Sequence, residues 1–435
     1  MTINKSMPTD SLTVKSITTD KFKTGALALL VRTKNEPLYA PYSLLLCEIL
    51  RSATKKYPTK AKIAKRLDEL YAASVGIKAM KEGAWRVFAF SAEILDEKYS
   101  TDGTDIVDGI GDMLKEFMYA PLLDEDGLFP EATFEQEKKR VITYLRSIIN
   151  NPPRYASMRL SDLIARHKDD HLDLPSLIKT IEECDRKTLF EFYEKTVKNH
   201  PIEAFYMGSL SHEEIEKKLL SRFGGVAAKN KEEKNLPLPT IPERDAAYLD
   251  EDMPVNQGRL AIAFRTGISP DQSELYASIL MNEIFGGGAS SKLFMNVREK
   301  MSLCYSCSST LEMDTGIIRV SSGIDPQNRE IAEKAIIEEF ENIKKGNISE
   351  YEFSSAKKAL ENSYREIYDT PFDIFAFYSS RDSLGIVCTI DECREKISAV
   401  TLDDVVKVAN NTVLDSVYFL NGTAADDSEE EDEDE

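Results

Sequence analysis

The chain carries one architectural plan twice. Residues 134–152, FEQEKKRVITYLRSIINNP, align without a gap on residues 353–371, FSSAKKALENSYREIYDTP, at an offset of 219. Phe134/Phe353, Lys138/Lys357, Lys139/Lys358, Arg146/Arg365, Ile148/Ile367 and Pro152/Pro371 are identical, where chance supplies about one match in such a window. LLCEIL ending at Leu50 answers LMNEIF ending at Phe285, and Trp85-Arg86-Val87 answers Ile318-Arg319-Val320, at offsets of 235 and 233. The falling offset places an insertion of roughly a dozen residues in the first half near 100–130, where a longer surface loop costs little. Two similar lobes follow, with a cleft between them as the default place for a ligand.

Within the first half, Gly25–Val31 reads as a buried strand, Tyr42–Leu50 as a helix apolar all round, and Lys60–Leu70 as an amphipathic helix. Ser74–Lys78 and Trp85–Ala92 alternate as antiparallel strands. Helices follow over Thr104–Met118 and Phe134–Ile149, the latter stopped by Asn150-Asn151-Pro152-Pro153, and Pro175–Thr196 reads as one more. Glu203–Met207 is a closing strand before the helix Ser211–Phe223. The second half repeats the order: strand Arg259–Arg265, helix Ser273–Phe285, a glycine loop, helix Ser290–Lys300, strands near Leu303–Leu311 and Ile317–Gly323, then helices to the tail. Strands grouped beside helices, rather than strictly alternating with them, indicate an α+β fold of two tandem lobes, each an antiparallel sheet packed with helices. The boundaries are 1–223 for the first lobe, 224–241 for a linker rich in glycine, charge and proline, 242–423 for the second lobe, and 424–435 for a disordered acidic tail.

The net charge of −20 includes nine acids in that tail, leaving −11 on the rest. An acidic body without aromatic-interleaved basic runs excludes nucleic acid as a partner. The N-terminus lacks an apolar stretch of signal-peptide length and no window reads as a membrane span, which points to the cytoplasm. The six cysteines are sparse and lie in apolar or amphipathic stretches, which fits reduced thiols.

The most specific run is Phe285-Gly286-Gly287-Gly288-Ala289-Ser290-Ser291-Lys292-Leu293-Phe294, continuing to Val297-Arg298-Glu299-Lys300 and Leu303-Cys304-Tyr305-Ser306. It lacks the Lys-Ser/Thr that ends a phosphate-binding loop. On these residues the chain resembles the insulinase/pitrilysin family of inverted-motif zinc peptidases, in the short form of the mitochondrial processing peptidase, whose subunits work in pairs. The likeness spans the chain apart from the tail and implies the family's clamshell of two LuxS/insulinase-like lobes. Peptidase members carry His-x-x-Glu-His on a first-lobe helix and a second Glu downstream. Two imidazoles one helical turn apart hold zinc, the intervening Glu activates water, and the distal Glu completes the ligand set. Anchored on Ala53–Pro58, the family's pattern puts Leu44 and Glu48 at the histidine positions, Cys47 at the base and Tyr144 at the distal carboxylate, on the inward side between Val141 and Ile148. A lone carboxylate and a thiol do not make a zinc site, so no metal and no cofactor is expected in this chain; Leu44–Leu50 would then be plain core.

The resemblance further implies that Arg298 and Tyr305 match an Arg and a Tyr that reach the substrate carbonyl in the active site of a zinc-bearing partner subunit. Both are donors at neutral pH, suited to a developing oxyanion. Taken alone, Arg298 also reads as a surface residue paired with Glu299 or Glu283, and Tyr305 as strand core. Gly286, Gly287 and Gly288 read either as a flexible loop admitting peptide backbone or as a bare helix C-cap. The expectation is a catalytically silent subunit of the YmfF-like bacterial type, forming a heterodimer with a zinc-bearing paralogue to process a peptide or small protein. The alternative is a non-proteolytic peptide-binding or scaffold protein of the same fold.

Two other patterns read as incidental. His167-Lys168-Asp169-Asp170-His171 has inverted-motif spacing but lies in a polar stretch at a helix end. Cys304-Tyr305-Ser306-Cys307 lies on a strand, where alternation points the two thiols to opposite faces.

Overall fold

The computed structural model describes residues 2–168, 171–226, 241 and 244–423; the acidic tail and most of the 224–241 linker lie outside the described residues. The chain divides into two compact units, described in turn.

In the first unit β1 (Asn4–Thr9), β2 (Leu12–Thr18), β3 (Thr24–Lys34), β4 (Ser74–Glu82), β5 (Trp85–Leu95) and β6 (Ile202–Gly208) form a sheet in the order β1-β2-β6-β3-β5-β4. TGALALLVRTK is apolar without alternation because β3 is paired on both edges and buried on both faces. In the second unit β7 (Ala247–Met253), β8 (Gly258–Arg265), β9 (Cys304–Glu312), β10 (Ile317–Ile324) and β11 (Val413–Gly422) are ordered β7-β11-β8-β10-β9. With β1 set aside the two orders are the same, strand for strand. The architecture is the expected α+β pair of lobes, with one amendment. Each sheet contains one parallel pair, β2 with β6 and β7 with β11, while its other neighbours are antiparallel. The N-terminal hairpin and β11 escaped the sequence reading, which carried helices through to the tail.

The helical repeat keeps the offset seen in the sequence. Glu131–Ser147 matches Glu350–Glu366, and Pro152–Ile164 matches Pro371–Ser383. The extra residues of the first half divide between two loops, with 96–105 standing for 325–328 and 120–130 for 345–349.

The boundaries 1–223 and 242–423 follow the chain, but the compact units do not. The first unit takes residues up to Arg146, those from Leu174 onward, and Ile367–Ser383; the second takes Ser147–Asp173 together with the rest of the second half. Packing is the reason. In Pro152–Ile164, started by Pro152 and by the Asn151 side chain accepting from the Arg154 N–H, Ala156, Leu160 and Ile164 form a stripe one turn apart. That stripe is buried on Ala261 and Ala263 of β8, Ile317 of β10, and Tyr418 and Leu420 of β11. Arg159 fixes the same helix with a bidentate pair to Glu251 of β7, Nε to Oε2 at 2.9 Å and Nη2 to Oε1 at 2.6 Å. In the first unit the counterpart helix packs Phe375 at a tilt against Phe205 of β6, ring centroids 5.1 Å apart. Its Asp382 joins Lys15 and Arg32, which also hold Glu203.

Candidate functional site

In the first unit the helix Tyr39–Ser52 buries Leu45, Leu46, Cys47, Ile49 and Leu50. Leu44 is 36% exposed and shares the helix's open side with Glu48 one turn on, so the stretch is not core throughout. The helix Glu131–Ser147 buries Phe134, Glu137, Val141 and Leu145. Its 3.6-residue period makes Leu145 the inward neighbour of Val141 and leaves Tyr144 on the rim, 43% exposed, not inward as the sequence suggested.

Where the family places metal ligands, this unit holds a charge network. Glu48 lies 3.2 Å from Arg140 and is also paired with Arg51; Glu137 lies 3.3 Å from Arg140 and 2.7 Å from Lys60. Burial pushes the Cys47 thiol up to about 12, and the Glu48 charge adds to that shift. A neutral thiol, a leucine, a tyrosine and two carboxylates already neutralised by three cations do not fit a zinc ion. Among the described residues no three His, Cys, Asp or Glu side chains gather as a metal-binding group. Nor does the His167–His171 pattern form one. Its first helix has ended at Ile164, His167 is exposed, His171 Nε2 pairs with Asp162 Oδ1 at 2.7 Å, and Asp169 and Asp170 lie outside the described residues.

The second unit brings the other predicted residues together. Glu283–Gly287 and Leu293–Lys300 wind as π-type turns, a rare geometry that recurs at functional sites, and β9 packs against both. Gly286 is buried where a Cβ would meet the Ser309 backbone N at 2.7 Å, so this glycine serves close packing on β9. Gly287 and Gly288 curl around the Glu283 carboxylate, whose pKa is raised by burial. Arg298 pairs with Glu299 at 3.4 Å, not with Glu283, and lies 4.6 Å above the Phe294 ring with its side chain 38% exposed. Tyr305 is 70% exposed and is not strand core. The cause is a β-bulge at Tyr305: Cys304 pairs with Ile324, Ser306 with Gly323 and Cys307 with Ser322.

That bulge also corrects the reading of the thiols. Ser322 and Ile324 share a face of β10, so their partners Cys307 and Cys304 share a face of β9. The neighbouring Cys307 thiol, with Ser322 and Arg298, lowers Cys304 to about 7 against the cost of burial. Cys388 and Cys393 form a disulfide, to whose sulfurs the Tyr276 hydroxyl lies at 3.5 Å, so the reduced state extends only to the other four cysteines. No helix among the described residues is long and apolar enough to cross a membrane.

The family model described as the peptidase M16 inactive domain matches residues 183–360. YmfF of Bacillus subtilis, described as a probable inactive metalloprotease, is 29% identical over 95% of this chain and 96% of its own length. YmxG of the same organism, described as an uncharacterized zinc protease, is 26% identical over 38% of this chain and 41% of its own. The crystal structure of a conserved protein from Enterococcus faecalis superposes with a TM-score of 0.88 at 28% identity, covering 98% of this chain and all of that one. The chain is thus similar over nearly its whole length to a protein described as a probable inactive metalloprotease, and over residues 183–360 to the peptidase M16 inactive domain.

Proposed function

We propose that this chain is the non-hydrolytic subunit of a two-chain zinc peptidase, presenting Arg298 and Tyr305 to a substrate carbonyl held by a zinc-bearing paralogue. The exposure of Tyr305 carries the reading. Tyr305, turned outward by a bulge of β9, and Arg298, on the π-turn that packs against β9, are two donors that an incoming backbone would meet. That Bacillus subtilis encodes relatives described as a probable inactive metalloprotease and as a zinc protease supports a division of labour. The substrate class is a peptide or small protein, whose extended backbone would pass by Gly287 and Gly288.

The test is turnover of a fluorogenic peptide by the co-purified pair. Arg298→Ala and Tyr305→Phe should each lower kcat by about 10²-fold, the scale of losing one oxyanion donor, with assembly intact. Unchanged turnover would favour the scaffold reading, for which the observation is the closure of Arg298 onto Glu299 and Phe294.

A further inference from the structure

The Cys304–Cys307 arrangement is unused by the proposal above and does not rest on it. A regular strand would send these side chains to opposite faces; the bulge at Tyr305 removes one step and puts both on the side of Ser322 and Ile324. Cys304 is partly exposed and Cys307 is buried, so on this shared face one sulfur is open to a reagent while the other is shielded from it. Two register steps of about 3.3 Å separate their Cα atoms by roughly 6.6 Å, inside the upper end of the disulfide range of about 4.4–6.8 Å. Closing the bond therefore asks the bulge to tighten, and the residue carried on the bulge is Tyr305.

We propose that Cys304 and Cys307 form a thiol–disulfide exchange site, in which Cys304 attacks a low-molecular-weight disulfide and Cys307 resolves the adduct. The Cys304 thiolate attacks one sulfur of RS–SR; that S–S bond breaks, RS⁻ departs, and a Cys304–S–SR bond forms. Cys307 then loses its proton and attacks the Cys304 sulfur, closing Cys304–Cys307 and expelling the second RS⁻. Two electrons pass from the cysteine sulfurs to RS–SR, which leaves as two RSH carrying the two cysteine protons. The surroundings favour this order. Cys304 is the sulfur lowered to about 7, by the Cys307 thiol, the Ser322 hydroxyl and the Arg298 guanidinium, whereas Cys307 is raised well above the ordinary thiol value.

The experiment treats the full chain with glutathione disulfide at neutral pH, quenches with N-ethylmaleimide, and maps unreduced tryptic peptides. Cys304 and Cys307 are the cysteines of the peptide 301–319, bounded by Lys300 and Arg319. Wild type should lose two hydrogens in that peptide more than about tenfold faster than Cys47 or Cys184 acquires glutathione. Cys307→Ser should accumulate a persistent glutathione adduct on Cys304, and Cys304→Ser should leave Cys307 more than about tenfold less reactive than that. A stable adduct in the wild type without closure, or equal reactivity of Cys307 in Cys304→Ser and Cys304 in Cys307→Ser, would overturn the proposal. Matching far-ultraviolet circular dichroism confirms that each serine variant is folded.

Discussion

The Arg140 guanidinium stands 3.2 Å from the Glu48 carboxylate, linking the helix Glu131–Ser147 to the helix Tyr39–Ser52. With Glu137 on its other side at 3.3 Å, the arginine centres an ion-pair network on the surface to which the resemblance assigns zinc ligands. Restoring the ligands (L44H, C47E, E48H, Y144E) should give about one tightly held zinc per chain, measured by metal content after dialysis. R140A alone should hold none, since it supplies no imidazole and leaves Glu48 paired with Arg51 and Glu137 with Lys60. Stoichiometric zinc in R140A would show that the arginine, not the lost histidines, keeps metal out.

Gly286 and Gly288 should respond differently to alanine. At Gly286 the new methyl meets the backbone of β9, which must shift, for about 1–3 kcal/mol. At Gly288 it meets the Glu283 Oε1 at 2.6 Å, the end of a side chain able to turn away. Thermal unfolding should thus separate G286A, destabilised, from G288A, close to wild type.

Leu160 tests the exchanged helix. Leu160→Ala should open a cavity against β8 and β11 and cost about 2–5 kcal/mol. Arg159→Met should cost less, about 1–3 kcal/mol, by leaving Glu251 without its bidentate partner while Tyr418 still donates to it at 2.7 Å. Denaturant titration followed through the second unit orders the two. A larger cost for Arg159→Met would mean that the ion pair, not the apolar stripe, seats this helix.

Asp415 gathers Arg166, Arg244 and Arg265 in the second unit. Burial alone would raise its pKa, but hydrogen bonds from Arg265, Ser416 and Arg244 outweigh that and hold it at about 2, below its ordinary 3.8. A carboxylate lowered on folding stabilises above its unfolded value, and that contribution fades as pH falls from 3.8 toward 2. Asp415→Asn should destabilise by about 3–5 kcal/mol near neutrality, leaving three guanidiniums uncompensated. It should also flatten the loss of stability across that acid window, read from urea midpoints against pH.

The repeat, the order of helices and the run of residues 285–306 were legible in the sequence because periodicity and spacing are local. What escaped depends on partners distant in the chain. β11 is a strand because β7 and β8 flank it, and Tyr144 lies on the rim because the helix turns Leu145 inward. The cysteine pair was hidden for a sharper reason. A bulge is one unpaired residue set by the neighbouring strand, and no residue of Cys304-Tyr305-Ser306-Cys307 announces it. Arg140, the residue that joins Glu48 to Glu137, bears no motif, though its place three residues after Glu137 on an amphipathic helix was a usable signal.

The crossed assignment of Ser147–Asp173 and Ile367–Ser383 governs how this molecule must be made. A ribosome delivering the chain has to release residue 383 before the earlier of the two cores receives its last helix, so neither core matures on its own half of the message. Scission within 227–240 would therefore yield two incomplete fragments rather than two free-standing modules. Recovery of folded material would require both to be present at once.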